Sequence, residues 1–314
     1  MAQENAIMTA PAVSIIIPTF NPGPEFPEIL ARIRSQKDVG DVEIVVVDSG
    51  SKDGTLDAAR HAGAKTIVID RKSFDHGGTR NLGISESSGD PVALMTQDAM
   101  PQDENWLRSL VEAVLSDESV SGAYSRQIPH PNTPPWVLRQ MENHGLFSDS
   151  PRIQELKESS SFHCMQPLEK LALCTFDNVS SLVRRSAWEK HPFPEAPFAE
   201  DLEWARDEIL RGNKIIYQPK SRVIHSHRRG PVHEYRRSRI AHQRLCELFD
   251  IQLVPTVPLL FRYSLQNIIR LTGWALEKPA NIADIFQAPW VAVAGTLGQY
   301  MGAKSTIANR EAQP

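Results

Sequence analysis

The chain has 314 residues, 41% hydrophobic and 23% charged, which suits one large α/β domain with an appendage and excludes a disordered chain. A net charge of −4 excludes a generally basic protein that coats nucleic acid, so no nucleic-acid partner is expected. The three cysteines, Cys164, Cys174 and Cys246, lack CxxC spacing, which argues against a disulfide framework or a cysteine zinc site and fits a reducing cytosol.

Residues 1–11 have neither the basic nor the apolar region of a signal peptide and read as a flexible start. Val13 to Ile17 then predicts a buried strand that stops at Pro18, followed by a loop from Thr19 through Asn21 to Pro24. Phe26, Ile29, Leu30 and Ile33 fall on one helical face. The next apolar run, Ile44 to Val47, ends at Asp48 and the turn formers Ser49, Gly50, Ser51, Asp53 and Gly54. This places Asp48 at the carboxyl end of a buried strand, the edge where open α/β sheets bind ligands. A carboxylate there suits a pyrimidine N–H or ribose hydroxyls. A plain capping Asp in a βα loop is an equally good reading of that stretch alone.

A short helix at Leu56 to Ala62 and a strand at Thr66 to Ile69 complete a β-α-β-α-β series, which predicts a parallel sheet with right-handed crossovers. Gly77 and Gly78 precede a helix carrying Arg80 and Asn81. Such a start can bind an anion, or be an ordinary Gly-rich loop. Val92 to Met95 predicts a fourth strand running into Thr96-Gln97-Asp98-Ala99. Trp106 to Leu115 is an amphipathic helix whose stripe is core. Val120 to Ile128 and Thr175 to Val183 read as strands. Trp136 to Ser161 reads as a polar insertion on the acceptor side. Glu200 and Asp201 open a helix that stops at Gly212, where acidic residues complement the helix dipole. Lys214 to Tyr217 and Arg222 to Ser226 read as late strands. Lys220 to Arg244 holds eight Lys or Arg and one Glu, either a phosphate-facing patch or a solvated helix face.

Val47-Asp48-Ser49-Gly50-Ser51-Lys52-Asp53-Gly54-Thr55 resembles the second strand and turn of family 2 glycosyltransferases. Val13 to Asn21, Thr96 to Ala99 and Glu200-Asp201 extend the resemblance over residues 13 to about 245. It implies a GT-A type, Rossmann-like nucleotide-binding sheet of class α/β over residues 12–250, with a C-terminal helical extension at 251–314. It further implies that Pro18, Thr19, Asn21, Asp48, Phe74, His76, Gly77, Arg80, Asn81, Gln97 and Asp98 hold the nucleotide sugar. Asp201 is implied as the catalytic base, with Glu200 beside it. Asp98 takes the second position of an Asp-x-Asp turn that holds Mg²⁺ or Mn²⁺ against the diphosphate. Thr96 replaces the first Asp, leaving one carboxylate where two are usual. A His after the late strand can complete the metal site, His225 first and His227 second. Phe74, Asp75, His76 and Gly77, together with Gln97-Asp98-Ala99, resemble the bacterial rhamnosyltransferase branch in particular.

The expected activity is inverting transfer of L-rhamnose from dTDP-L-rhamnose to a saccharide or lipid-linked saccharide during polysaccharide synthesis. UDP-galactose or UDP-N-acetylglucosamine is an alternative donor. A nucleotidyltransferase is disfavoured because Pro18 to Pro24 lacks a basic residue. A non-catalytic nucleotide-sugar-binding protein is disfavoured because every implied position is occupied. No window of about 18 apolar residues implies a membrane span, so the expected location is cytoplasmic, with the inner membrane face as a site of contact. Residues 254–303 offer apolar helix faces that fit three uses: packing on the catalytic domain, a homo-oligomer interface, or a peripheral membrane contact.

Overall fold

The β-branched runs become the centre of one twisted sheet. The computed structural model describes residues 12–143, 148–158, 161–278 and 281–311; the expected flexible start at residues 1–11 lies outside them. β1 (Val13–Thr19), β2 (Val42–Asp48), β3 (Lys65–Val68) and β4 (Val92–Met95) are parallel and lie in the order β3-β2-β1-β4. α1 (Phe26–Arg34), α2 (Thr55–His61) and α3 (His76–Ser85) are their crossovers. The register sets Thr19 opposite Asp48, so β1 and β2 end at one level.

The parallel series stops at β4. The chain continues through β5 (Met100–Pro101), α4 (Trp106–Leu115), β6 (Val120–Ile128), α5 (Pro135–Asn143) and β7 (Arg152–Gln154). Next come α6 (Ser161–Cys164), α7 (Pro167–Leu173), β8 (Ser180–Val183), α8 (Arg185–Lys190), α9 (Glu200–Leu210) and β9 (Lys214–Ile224). β8 pairs antiparallel with both β4 and β6, and β9 runs parallel to β6. β5 and β7 lie antiparallel on β9.

Two sequence expectations change here. The strand expected over Thr175 to Val183 begins only at Ser180, and Thr175 to Val179 form a loop. Asp177 closes that loop on itself, its Oδ1 accepting from the Val179 amide at 2.9 Å. The two late strands are one strand, β9, with a register shift opposite Ser125 and Arg126.

The sheet has a core on each face, as the period of two requires. Ile15 and Ile17 pack with α1 and Trp106 on one side. Ile16, Val45 and Val47 pack with Phe176, Phe193 and Trp204 on the other.

α10 (Pro231–Phe249), α11 (Val257–Glu277) and α12 (Ile282–Glu311) form the C-terminal part. α12 lies against α10 at glycines. A Cβ on Gly302 would stand 2.3 Å from the Arg239 carbonyl oxygen, and one on Gly298 would stand 2.7 Å from Tyr235 O. Arg228 grips the fully buried Asp284. α11 and α12 also close over Trp136, Val137 and Met141 of α5. No helix among the described residues is long and apolar enough to cross a membrane.

Candidate active site

The carboxyl ends of β1, β2 and β4 face a cleft of about 790 Å³. Its opposite walls come from the start of α9, the segment after β9, and α10.

Asp48 is organised differently from the ligand-facing role expected of it. It is completely buried and absent from the cleft lining. Its carboxylate accepts from Thr19 Oγ1 at 2.9 Å, from the Gly50 and Ser51 amides at 2.9 and 2.8 Å, and from Ser51 Oγ. Asp48 therefore shapes the β2 turn, and the neighbouring Ser49 lines the cleft. Pro18 and Thr19 line it too. Asn21 lies in an adjoining hollow with Ser49, Lys52 and Arg71, where its Oδ1 accepts from the Lys52 amide at 2.8 Å. Gln97 joins β1 to β4 by bonding both the amide and the carbonyl of Phe20, at 2.6 and 3.2 Å.

The glycine-rich start of α3 is a packing device. Asp75 caps the helix by accepting from Gly78 N at 2.8 Å. A Cβ on Gly77 would sit 2.0 Å from Pro194 O, so this glycine lets two backbones touch and does not line the cleft. Asn81 is likewise turned away. Its amide holds Phe193 O at 2.8 Å, Phe193 N at 3.1 Å and the Trp188 indole at 2.8 Å. Phe74 and His76 do reach the cleft, edge to face with ring centroids 5.0 Å apart.

Arg80 borders the cleft with its Nη1 engaged inside the protein and its Nε buried without a hydrogen-bond partner among the described residues. It donates to Glu200 Oε1 at 2.8 Å and to His76 O at 3.0 Å, and both side chains of the ion pair are about 95% buried. Arg80 thus fixes Glu200. Losing one member of a buried pair strands the other charge. Arg80→Ala should therefore cost about 3–5 kcal/mol of stability, read as a lowered urea midpoint. An unchanged midpoint would contradict this assignment.

Glu200 also accepts from Asn178 Nδ2 at 3.3 Å. Ahead of it, Ala199 adopts φ +59°, a left-handed conformation costing about 1–3 kcal/mol in a residue with a Cβ. That strain sits two residues before Asp201, whose carboxylate accepts from the Asn178 and Leu202 amides at 3.1 and 2.8 Å. Burial pushes the Asp201 carboxyl well above the ordinary range, and Glu200 and Asp177 push it further. Asp177 rises to about 6, chiefly through burial. Three carboxyl groups thus share one wall, and Arg80 neutralises one of them.

The other wall holds Asp98, His225 and His227, whose ligating atoms all lie within 4.8 Å of one another. His225 Nε2 is 3.6 Å and His227 Nε2 3.4 Å from the Asp98 carboxylate. Burial lowers His225 to about 4, which keeps its imidazole neutral. Its Nδ1 meets Gln127 Oε1 at 2.8 Å, while Gln127 Nε2 donates to Asp177. Because an ionised Asp177 only accepts, the Gln127 amide must present its oxygen to His225. Nδ1 then carries the proton, and the Nε2 lone pair is free to face Asp98. Two neutral imidazoles and a carboxylate suit a divalent cation. Thr96, at the position of the missing carboxylate, has a buried Oγ1 without a hydrogen-bond partner among the described residues.

Sequence reading missed Asp177 and Gln127, and reached Arg229 only as one of the basic residues between Lys220 and Arg244. Nothing in their spacing marks them. They meet only because the loop before β8, the end of β6 and the segment after β9 converge. Arg229 and Arg237 border the cleft, and burial together with Arg237 lowers Arg229 to about 10. Such crowding of cations favours an anion between them.

Residues 14–175 match the family model Glycosyl transferase family 2. The chain is 33% identical over 231 residues to the O-antigen chain rhamnosyltransferase RfbN of Salmonella typhimurium, covering 72% of this chain and 69% of that one. It is 30% identical to the O-antigen chain rhamnosyltransferase WbaN of Salmonella anatum, covering 72% and 70%. Among solved structures, a mannosyltransferase of Pyrobaculum calidifontis in complex with GDP-Man and Mn²⁺ superposes with a TM-score of 0.56 at 20% identity, over 97% of this chain and 81% of that one. Glucosyl-3-phosphoglycerate synthase of Mycobacterium tuberculosis, in complex with Mn²⁺, UDP-glucose and phosphoglyceric acid, gives 0.53 at 17% identity, over 76% and 79%. The fold is of the GT-A type with added C-terminal helices, and the chain belongs to glycosyl transferase family 2.

Proposed function

We propose that this glycosyltransferase moves L-rhamnose from dTDP-L-rhamnose, with inversion, to a saccharide acceptor in cell-surface polysaccharide synthesis. The observation that carries the reading is the pairing of two walls in one cleft, a cation-binding trio and a carboxylate of raised basicity. Likeness to two O-antigen rhamnosyltransferases supports the donor.

Asp98, His225 and His227 would hold the cation, Mn²⁺ in preference to Mg²⁺ because nitrogen donors suit Mg²⁺ poorly. When bound, it supplies positive charge beside the departing diphosphate. Arg229 and Arg237 add fixed positive charge on the same side. Asp201 accepts the proton of the acceptor hydroxyl as that oxygen bonds to the anomeric carbon. The bond from carbon to the diphosphate oxygen breaks, and its electron pair leaves with the nucleoside diphosphate. Glu200, held by Arg80, keeps negative potential beside Asp201 and so strengthens it as a base.

Phe74 gives the cleft an apolar wall suited to the methyl group of a 6-deoxy sugar. Hydrophobic contact of this kind separates close analogues by about 1–3 kcal/mol. The enzyme is expected to turn over dTDP-L-rhamnose faster than dTDP-glucose or UDP-hexoses in a donor panel at equal concentrations, and Phe74→Ala should narrow the gap. A UDP-hexose as best donor, with dTDP-L-rhamnose inert, would overturn the assignment and leave family membership intact.

A further inference from the structure

The C-terminal hairpin carries apolar stripes that nothing among the described residues covers. On α11, Phe261, Leu265 and Ile269 are 71, 60 and 67% exposed at helical spacing. On α12, Ile282, Phe286 and Trp290 are 73, 72 and 68% exposed, again four residues apart. A hydrogen bond from Asn267 to Thr296 at 2.9 Å ties the two helices together, and with these residues opposite each other the two stripes follow one another along the hairpin.

The charges on these helices choose the occupant. From Ile251 to Leu276 the only charged residues are Arg262 and Arg270, both exposed. From Ile282 to Tyr300 the only charged residue is Asp284, fully buried against Arg228. The apolar stripes therefore have Arg262 and Arg270 at their margin, while the exposed Glu277 stands at the very end of α11 beside the exposed Lys278. Residues 231–314 hold nine Lys or Arg against six Asp or Glu, in a chain whose net charge is −4. The acidic balance thus lies in the other part of the chain. A second copy of the chain would offer these arginines the same cationic surface. A bilayer with anionic headgroups offers phosphates to the arginines and acyl chains to the aromatic rings. Neither helix is long and apolar enough to span.

We infer that α11 and α12 lie in the surface of an anionic lipid bilayer, their stripes buried at the boundary between headgroups and acyl chains and Arg262 and Arg270 on headgroup phosphates. The same C-terminal part lines the cleft through Arg237 and Gln299. Docking therefore brings the cleft to the membrane surface, where a lipid-linked acceptor would be reached. The binding itself does not depend on the donor or on catalysis.

The test is co-sedimentation of the full chain with vesicles of phosphatidylcholine, with and without phosphatidylglycerol, alongside light scattering. The wild type should sediment with the anionic vesicles, and Trp290 emission should shift to the blue. Phe286→Glu and Trp290→Glu should each weaken binding about tenfold or more. Arg262→Glu with Arg270→Glu should remove the preference for anionic lipid. Leu115→Glu, an exposed apolar site on α4, should change nothing. Unchanged thermal unfolding would show that the variants fold. Vesicle binding that survives Phe286→Glu and Trp290→Glu would overturn the inference. So would a protein that ignores vesicles and is a dimer dissociated by those substitutions.

Discussion

Asp201→Asn should lower turnover by about 10²-fold or more while leaving the affinity for donor nearly unchanged. The amide keeps the shape of the carboxylate and can still accept from one of the two amides, Asn178 N or Leu202 N. It cannot take a proton from the acceptor hydroxyl. The pH dependence should carry the same mark. A base works only when ionised, and burial, Glu200 and Asp177 raise the Asp201 carboxyl. Activity should therefore be full above the raised value and fall as the pH drops through it. The acid limb of kcat/KM should thus lie above the range of about 4 usual for carboxylates. Glu200→Gln removes one of the charges responsible and should move that limb to lower pH. A fully active Asp201→Asn enzyme would transfer the role to another carboxylate on the same wall, Asp177 or Glu200.

Asp98→Ala should be the other severe loss, about 10²–10³-fold in turnover, with a raised requirement for Mn²⁺. His225→Ala and His227→Ala should raise that requirement in the same direction, because each would supply one of the three ligating atoms. Gln127→Leu would test the relay behind them. It leaves the three ligands in place but removes the acceptor that fixes the His225 tautomer. Removing such a partner typically costs about 10–100-fold in metal affinity. The readout is the Mn²⁺ concentration giving half-maximal rate, compared with the same quantity for Mg²⁺. Equal performance of Mg²⁺ and Mn²⁺, insensitive to both histidines, would contradict a site built on nitrogen donors.

The parts of this arrangement legible in the sequence are those set by local chemistry. The apolar runs ending at Pro18, Asp48 and Met95 gave three sheet edges at one level, because a buried strand must end where turn formers begin. Asp98, Glu200 and Asp201 were singled out by the family resemblance, since a carboxylate at a strand end or a helix start by itself equally suits a turn former or a partner of the helix dipole. Residues whose roles depend on partners far along the chain were not. Asp48 looked like a ligand until Thr19 and Ser51 were seen to occupy it. Arg80 looked like a nucleotide contact because its partner, Glu200, is 120 residues away. Asn81 was claimed by Phe193 and Trp188 for the same reason. Of the strands after β4, β5 and β7 escaped, since elements this short carry little periodicity.

The two walls of the cleft have separable duties, and calorimetric titration of dTDP in the presence of Mn²⁺ tests that separation most directly. Wild type and Asp201→Asn should bind the nucleotide with similar affinity, and Asp98→Ala should bind it at least about tenfold more weakly. Retained binding in Asp98→Ala, or its loss in Asp201→Asn, would contradict the assignment of cation and base to opposite sides of the cleft.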